Sequence, residues 1–554
     1  MPDALAKALL EIKQNLEKTG FQNAQPVINK DYSMGLFSVQ CFQEAKKRKE
    51  NPVKLAEETT KKISKGKYYS KTKAVNGYIN FEASEEYFKE ALNELIAPIK
   101  KEKTNNKKAV IEFSQPNVGK PFHVGHIRST ILGDVVSRLL EQTGWTVTRM
   151  NYYGDAGSQV AKLILAMQIL KKMPAIKNEK DLLDYYVEIH KKIEEKPELE
   201  QKAREILEKI ESGDKETLKT LKLVREKSFE AFNRNYALLG INFDEEIGES
   251  ELVEKSRKLV DECLKKKIAR REPEGEVIAL LEPLPNLVIL RSNNTTLYST
   301  RDLALADYKH EKYDFDYSLV LTSSDQNMYF KQIKSLLEKM KREYAKNYEH
   351  QGFGLITLEE GKMSSREGRV VFLENVLNEA MKLAGEQIKE KQDFSKKELS
   401  ETMNAIGIGA VKFAVLKISS EKNISFSLNK IVSFDGDTGA YVQYTYVRAK
   451  NILEKTSEKP CLTNNFNDVE KKIICTLSQF NSIIKHCAET KQVHPLCDYL
   501  LKLSSEYSEF YTTCPVLKAE TNELLKNRLA ITKTVKNVLE KGLELLGINT
   551  PEKM

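Results

Sequence analysis

Residues 110–150 carry a strand–loop–helix–strand pattern, which constrains the fold more than any other part of the sequence. The apolar run 110–113 predicts a strand, and the loop that follows it contains two prolines and a glycine. Apolar side chains then recur at helical spacing in two adjacent stripes: Ile127, Ile131, Val135, Leu139 and Leu132, Val136, Leu140. Residues 146–150 predict the next strand. This βαβ unit predicts an α/β domain of the Rossmann type with a parallel sheet.

A smaller domain is expected on each side of this α/β domain. Residues 1–105 mix amphipathic helix with short strands, of which 75–81 is the clearest, and predict an α+β N-terminal domain. The α/β domain is assigned to residues 106–432, and 160–270 is read as helical insertions. Further strands are predicted at 286–291, 317–322 and 351–357. Residues 433–554 are helical in pattern and predict an all-helical C-terminal domain.

Charge and cysteine content bear on the partner and the compartment. The 88 basic residues exceed the 80 acidic ones by a net +8, which suits a nucleic acid partner as well as an ordinary lysine-rich surface. The seven cysteines are scattered, which favours a reducing compartment over a disulfide framework. No apolar run approaches the roughly 20 residues of a membrane span. We expect a cytoplasmic protein without a membrane association; a mitochondrial role is compatible with the same observations.

His123 and His126 stand where the first predicted strand has ended and the helix begins. A helix N-terminus attracts phosphate, and two imidazoles there can donate hydrogen bonds to a phosphoryl group that gains charge. Gly125 lacks a side chain, so a flat ring such as adenine can lie close to the backbone. A zinc site is a competing interpretation, but two histidines without a third nearby ligand make a poor one. A pair of surface histidines is the remaining alternative.

Residues 123–126 resemble the HIGH signature of class I aminoacyl-tRNA synthetases, with Val124 in place of isoleucine. The strings 112–117 and 151–155 are similar to the arginine-specific family in particular, although Ala156 stands where that family usually has tryptophan. The resemblance runs from about residue 110 to the last residue. It implies that arginine is activated with ATP to arginyl-adenylate and transferred to the 3′-terminal adenosine of its tRNA. It also implies ATP with Mg²⁺, no prosthetic group, and a monomer.

Residues 362–366 resemble the KMSKS signature, a mobile loop that brings lysine to the ATP phosphates. Ser365 stands where the second lysine is usual. The arginine family often carries a lysine just upstream of its histidine motif instead, and Lys120 occupies that place. The resemblance implies that Lys120 serves the α-phosphate. The remaining ATP-loop residues that it implies are Lys362, Met363, Ser364 and Arg366. A solvated loop charge is the alternative for the basic residues of this loop.

A guanidinium is planar and always charged, so a specific site should offer it carboxylate oxygens in a matching fork. Tyr298 and Asp302 are spaced i, i+4 near a predicted helix start, with Thr300 as a candidate cap, and can converge on one ligand. The resemblance implies that Asp302 pairs with the guanidinium while Tyr298 packs on it. Further arginine contacts implied by the resemblance are Glu112, Ser114, Asn117, His126 and Gln326. A surface salt bridge is the alternative for each acid.

Residues 434–444 resemble the start of the family's helical anticodon-binding domain. Aromatic faces beside arginine suit unpaired RNA bases, although tyrosines at helical spacing are more often core residues. The tRNA contacts implied by the resemblance are Tyr78, Asn80, Tyr441, Tyr444, Arg448 and Tyr511. The histidines and cysteines within 486–497 fit no standard zinc spacing, so we predict helical core there and no metal site.

Two other functions compete with arginine activation. One is the charging of another amino acid, such as cysteine or glutamate, because the histidine motif alone indicates only class I nucleotidyl transfer. The other is a non-catalytic tRNA-binding relative, which the altered lysine loop favours. The histidine pair together with Tyr298 and Asp302 speaks against a mere binder.

Overall fold

The fold is taken from a computed structural model that describes residues 3–29, 32–170, 176–358, 371–389, 394–462 and 465–554. Its first part is an antiparallel sheet of order β1–β2–β4–β3 flanked by helices. These elements are α1 (Ala4–Lys18), β1 (Val27–Ile28), β2 (Phe37–Gln40), α2 (Phe42–Arg48), α3 (Pro52–Lys62), β3 (Tyr69–Val75), β4 (Tyr78–Ala83) and α4 (Glu85–Leu95).

The prediction of one strand over 75–81 is wrong, because the chain reverses within it. Asn76 and Gly77 have φ values of 50° and 81° and form the turn between β3 and β4. Asn-Gly tolerates positive φ at both positions, which a tight hairpin between twisted strands requires. The alternation that we interpreted as one strand belongs to both arms of a hairpin.

The central part contains the sheet that organises the molecule. Its first elements are β5 (Lys108–Glu112), α5 (Ile127–Gln142), β6 (Thr146–Tyr153), α6 (Ser158–Ile169), α7 (Glu179–Glu195), α8 (Glu198–Ser212), α9 (Lys215–Leu239), β7 (Glu245–Gly248), α10 (Val253–Lys265), β8 (Ala269–Arg271), β9 (Val277–Ala279) and β10 (Leu287–Leu290). It continues with α11 (Tyr298–Tyr313), β11 (Tyr317–Ser323), α12 (Asn327–Lys339), β12 (Tyr348–Phe353), β13 (Ile356–Leu358), α13 (Leu373–Lys389), α14 (Lys396–Leu416), β14 (Ile424–Phe426) and α15 (Leu428–Ile431).

The central sheet has the order β12–β11–β5–β6–β7, and every neighbouring pair in it is parallel. The chain winds from β5 through β6 to β7 on one side, and later places β11 and β12 on the other side of β5. The winding direction therefore reverses between β5 and β11, and ligands of open α/β sheets bind outside the carboxyl ends of the strands at such a reversal. The predicted βαβ unit is confirmed, with α5 beginning at Ile127 as expected.

Two predictions about the remaining strands need correction, and a third is confirmed in a separate sheet. The segment interpreted as helical insertion contains β7, a short strand of sequence Glu-Glu-Ile-Gly that shows no apolar alternation. The strand predicted at 286–291 exists as β10, but it pairs antiparallel in a small separate sheet with β9 and β8. The strand predicted at 351–357 is two strands, because β12 ends at Phe353 and β13 then pairs with β14 instead.

The C-terminal part is helical, as predicted, and it packs against the N-terminal part. Its helices are α16 (Gly439–Glu454), α17 (Asp468–Leu477), α18 (Phe480–Thr490), α19 (His494–Thr513) and α20 (Asn522–Leu545). The Tyr87 hydroxyl on α4 donates to Ser478 Oγ over 2.7 Å, and Asn537 Nδ2 donates to the Ile96 carbonyl over 2.9 Å. Buried apolar side chains of both parts belong to one continuous cluster.

One helix among the described residues, α14, is long and apolar enough to cross a membrane by length and composition alone. Most of its apolar stretch is buried inside the protein, where it packs against α13, α16 and α5. This burial is what a core helix of a globular domain shows.

Candidate active site

The loops that follow β5, β6 and β11 meet at the carboxyl edge of the central sheet. Glu112, the last residue of β5, lies beside Val320 of β11 in the parallel register. The loop after β5 also contacts the loop after β6, through a bridge between Asn117 and Gly154. The predicted histidine motif follows β5 directly. The start of α11 comes to the same edge through Asp302, which accepts a hydrogen bond from Tyr329 of α12, just after β11.

The two histidines form a hydrogen-bonded turn at the start of α5. His123 Nδ1 accepts the N–H of Gly125 over 3.1 Å, and His126 Nδ1 accepts the N–H of His123 over 3.2 Å. The two rings lie 4.0 Å apart between centroids. Because each Nδ1 accepts a hydrogen bond, each neutral ring carries its proton on Nε2, which is then the atom able to donate.

Both imidazoles are held in the neutral form. Burial lowers the pKa of His123 to about 4, with a contribution from the positive charge of Lys120. Burial lowers the pKa of His126 well below its usual value, and His123 and Lys120 add to the shift. Two neutral Nε2–H donors can bind a phosphate oxygen without depending on protonation near neutral pH.

Gly125 and the segment around residue 372 hold the histidine turn in place. A Cβ atom at Gly125 would lie 2.8 Å from His123 Cε1, so a side chain there would displace the ring. On the other side, His123 forms an antiparallel bridge with Phe372, and the Leu373 N–H donates to the Phe122 carbonyl over 3.0 Å. The glycine was assigned to adenine binding from sequence; the structure adds that it makes room for a histidine.

Lys120 lies in the same loop and is half-buried, with its ammonium 5.6 Å from the ring centroid of Tyr186. Its positive charge contributes to the lowered pKa of both His123 and His126. The other proposed phosphate ligands, Lys362, Met363, Ser364 and Arg366, lie outside the described residues.

Arg128 fixes the segment that leads towards residues 359–370. Its guanidinium is fully buried and donates to the carbonyls of Gly354 at 2.6 Å, Lys422 at 2.5 Å and Ser419 at 2.9 Å. This role cannot be predicted from the sequence, because the partners lie 226 or more residues away. An arginine buried in the first turn of α5 therefore joins the histidine turn to the residues just before β13 and β14.

Tyr298 and Asp302 lie in the first turns of α11, as the i, i+4 spacing predicts. The Tyr329 hydroxyl donates to Asp302 Oδ2 over 2.5 Å, and the Tyr298 ring packs 5.0 Å from that of Tyr329. Burial raises the pKa of Asp302 to about 7, although the Tyr329 hydroxyl lowers it. Tyr298 is 54% exposed, so one face of this aromatic pair is open to a ligand.

The predicted cap of α11 is wrong. The helix begins at Tyr298 after Leu297, and Thr300 is already inside it. The Thr300 hydroxyl is buried and donates to the Ile289 carbonyl of β10. Thr300 thereby ties α11 to the small antiparallel sheet, a tertiary contact that local sequence does not indicate.

The other predicted arginine contacts differ in burial and in their hydrogen-bond partners. Glu112 is buried, pairs with Lys309 and accepts from Gln115. Ser114 is buried too, and its hydroxyl shares hydrogen bonds with Tyr236 at 2.7 Å and Thr130 at 2.9 Å. Asn117 and Gln326 are both exposed at the carboxyl edge, Gln326 in the turn after β11.

The loop that lacks the usual tryptophan is fixed by polar contacts. Asp155 is fully buried and accepts from the Ser250 N–H and hydroxyl, each at 2.8 Å. Arg301, next to Asp302, donates to the Ala156 carbonyl over 3.0 Å and pairs with Glu249 at 2.7 Å. The missing aromatic ring has not left this loop without support.

Arg448 lies between two tyrosines of the helical domain. Its guanidinium carbon is 4.6 Å from the ring centroid of Tyr444 and 4.9 Å from that of Tyr511. Tyr511 is exposed, whereas the Tyr441 hydroxyl shares a hydrogen bond with Ser508 at 3.1 Å. Three of the four predicted contacts in this domain thus form one stack.

The two predicted contacts of the N-terminal domain separate. Tyr78 is exposed and packs edge-on against Phe42 at 5.4 Å. Asn80 is buried and accepts a hydrogen bond from Asn29 over 3.4 Å. Tyr78 and Asn80 share one face of β4, but Tyr78 is exposed at the first residue of the strand, whereas Asn80 is covered.

Comparisons with known proteins cover the chain from end to end. Family models match in three consecutive stretches: Arginyl tRNA synthetase N terminal domain over residues 3–83, tRNA synthetases class I (R), catalytic domain over 87–428, and DALR anticodon binding domain over 442–554. An arginine–tRNA ligase of Clostridioides difficile is 34% identical over 98% of each chain. One of Lactobacillus johnsonii is 36% identical over 95% of each chain.

Two solved structures share the fold. The arginyl-tRNA synthetase of Thermus thermophilus superposes with a TM-score of 0.84 at 24% identity over 99% of each chain. That of Plasmodium falciparum superposes with a TM-score of 0.84 at 22% identity, over 100% of this chain and 99% of the other. At these identities the structural likeness is one of fold.

Proposed function

The chain belongs to the arginyl-tRNA synthetase family and ligates arginine to tRNA with ATP; we propose that the reaction takes place in the crevice between His126 and Asp302. The observation that carries this proposal is that the histidine turn follows β5 while Asp302 is hydrogen-bonded to Tyr329, just after β11, on the two strands beside the winding reversal. Imidazoles that bind the nucleotide and a carboxylate that binds the arginine side chain, gathered at one edge of the sheet, can hold the two substrates together.

In the first step the arginine carboxylate attacks the α-phosphate of ATP, and pyrophosphate leaves. We assign His123 and His126 to the phosphate oxygens, because their Nε2–H groups can donate hydrogen bonds while the rings stay neutral. Gly125 leaves the space that adenine and the His123 ring need. Magnesium is expected to enter with ATP as part of the substrate.

Lys120 is proposed to supply the positive charge at the α-phosphate in place of the missing second lysine. This proposal is supported by the place of Lys120 three positions before His123 in the same loop and by the contribution of its charge to the lowered pKa of both imidazoles. Lys362 and Arg366 are proposed to serve the outer phosphates, with Met363 and Ser364 in the same loop. Lys120→Ala should then abolish arginine activation, and near-normal activation by this variant would contradict the assignment.

Arginine is proposed to place its guanidinium against Asp302, with Tyr298 packed on it and Gln326 as a polar contact. Asp302 suits this role because it accepts a hydrogen bond from the neutral Tyr329 hydroxyl, which brings no positive charge. Glu112 is proposed as a second acid. Asn117 is proposed to bind the amino and carboxylate end together with Ser114, whose contact has to compete with Tyr236 and Thr130.

The division of labour along the chain is proposed as 1–105 and 433–554 for tRNA and 106–432 for catalysis. The exposed face of Tyr511 beside Arg448 suits an unpaired base, because a base stacks on such a planar surface. Tyr78, Asn80, Tyr441 and Tyr444 complete the proposed tRNA contacts. A cytoplasmic monomer without membrane association is the proposed working form.

The test is charging of total tRNA with arginine by the purified protein. We expect arginine to be esterified to tRNA and lysine, cysteine and glutamate to be rejected. Asp302→Asn should raise the KM for arginine by well over tenfold, given the strength of charge-assisted pairs. Tight tRNA binding without any charging would instead identify a binding protein, and an unchanged KM would remove Asp302 from the site.

A further inference from the structure

Three carboxylates at the crevice are largely withdrawn from water, and two of them have a cation of their own. Glu112 pairs with Lys309, whose side chain is fully buried. Glu249 pairs with Arg301 at 2.7 Å. Asp302, the third carboxylate, accepts a hydrogen bond from the Tyr329 hydroxyl, which brings no charge, and forms no salt bridge with any of the residues that the structure describes. With its acids ionised, the set is one positive charge short.

We infer that Lys309 is a specificity-determining positioning residue, which neutralises Glu112 so that the crevice presents one uncompensated negative charge to the substrate side chain. This inference rests on the proposed function, in which the guanidinium meets Asp302. A single missing cation matches a monocationic side chain and disfavours neutral ones, because an unbalanced charge in a low-dielectric site is costly.

Helix α11 delivers both charges from one face. Asp302 and Lys309 are seven residues apart, so they lie on the same side of the helix, two turns from one another. The ammonium of Lys309 lies 5.5 Å from the ring centroid of buried Tyr348, which together with Glu112 encloses it. One helix therefore presents the Asp302 carboxylate to the ligand and the Lys309 ammonium to Glu112 of β5.

Other charged and titratable groups act on Asp302 from the surrounding elements. Glu112 and Glu249 raise its pKa, whereas Arg301 and the Tyr329 hydroxyl lower it. The charge of Asp302 in turn adds to the raised pKa of three buried tyrosines, each on a different strand or helix. They are Tyr152, Tyr329 and Tyr348. Removal of the Lys309 charge would leave the negative charge of Glu112 unbalanced, so the pKa of Asp302 should rise further.

The decisive test is whether loss of Lys309 compensates for loss of Glu112. Glu112→Gln leaves the Lys309 charge unbalanced beside the guanidinium, so the KM for arginine should rise by about tenfold or more. Addition of Lys309→Met restores the net charge and should lower that KM at least about threefold. If Lys309 were only structural, the double variant would be equal to or worse than Glu112→Gln, which would overturn the inference.

The pH profile provides a second readout. Lys309→Met alone leaves Glu112 uncompensated, and the pH at which the KM for arginine rises should move upward by about one unit. Lys309→Arg keeps the charge and should leave that midpoint in place. An unchanged midpoint in folded Lys309→Met would contradict the inference. If this single variant does not fold, the double variant decides, because it removes both members of the buried pair.

Failure of the inference can be told apart from failure of the proposed site. Asp302→Asn serves for this purpose, since it removes the acid assigned to the guanidinium itself. If Asp302→Asn leaves the KM for arginine unchanged, the proposed site is wrong and the inference falls with it. If Asp302→Asn raises that KM but Lys309→Met does not compensate for Glu112→Gln, only the role of Lys309 is wrong.

Discussion

His126 accepts the backbone N–H of His123 through Nδ1 over 3.2 Å, so the motif orients its own second imidazole. The first imidazole does the same with Gly125, through its own Nδ1. Each ring thereby has a defined tautomer before any substrate arrives. Preorganised donors of this kind reduce the reorganisation that the transition state would otherwise require.

Gly125→Ala should displace the His123 ring, because the new Cβ would lie 2.8 Å from Cε1. We expect the kcat for arginine-dependent ATP–pyrophosphate exchange, measured with tRNA present, to fall by about tenfold to a hundredfold. The matched control is the pair His123→Ala and His123→Ala/Gly125→Ala. If the glycine acts through the ring, the two control proteins should have similar rates; a large further loss in the double variant would contradict this explanation.

The KM for arginine should rise as the pH falls below about 7, because Asp302 then becomes protonated. Below this pKa the neutral acid predominates, and only the carboxylate pairs with a guanidinium, so the KM is lower above the pKa than below it. Steady-state charging between pH 6 and 9, at saturating ATP, measures this midpoint. Tyr329→Phe removes the hydroxyl that lowers the pKa and should move the midpoint upward. A profile identical in Asp302→Asn would exclude Asp302 as its cause.

Arg128→Met should destabilise the protein and slow catalysis together. Three carbonyls lose their buried donor, and an unsatisfied buried group costs about 1–3 kcal/mol. We expect the free energy of unfolding to drop by about 3 kcal/mol in urea denaturation monitored by circular dichroism. Arg138→Met is the control on the same helix; its ion pair with Asp134 is partly exposed, and its loss should cost about 1 kcal/mol or less. Equal effects of the two substitutions would contradict the role assigned to Arg128.

Arg448→Ala should weaken tRNA binding while leaving the fold intact. Loss of the planar group between Tyr444 and Tyr511 removes a stacking platform, and base stacking contributes about 1–3 kcal/mol. The Kd for tRNA in filter binding should therefore rise about tenfold. Arg448→Lys keeps the charge but loses the planar group, so its Kd for tRNA should lie between those of the unmodified protein and Arg448→Ala. A Kd unaffected by Arg448→Ala would assign this stack to the domain core.

The sequence predicts the parts of the site that depend on neighbours along the chain. The strand, the loop and α5 are signalled within 33 consecutive positions, and the i, i+4 pair of α11 needs only a helix. Contacts between distant segments cannot be predicted in this way. Lys309 and Glu112 are 197 residues apart, and Arg128 donates to the carbonyl of Lys422, just before β14. The start of α11 was misplaced for the same reason, because Thr300 satisfies a carbonyl of β10 rather than the helix end.

The hydrogen bond from Tyr87 to Ser478 joins positions 391 apart, and apolar side chains around it belong to a cluster shared by the first and last parts of the chain. A ribosome that has just completed α4 has therefore made a surface whose counterpart is still hundreds of codons away. Cleavage of the backbone near residue 104 would likewise leave two pieces held together, because the contacts between α4 and α17 do not depend on that link.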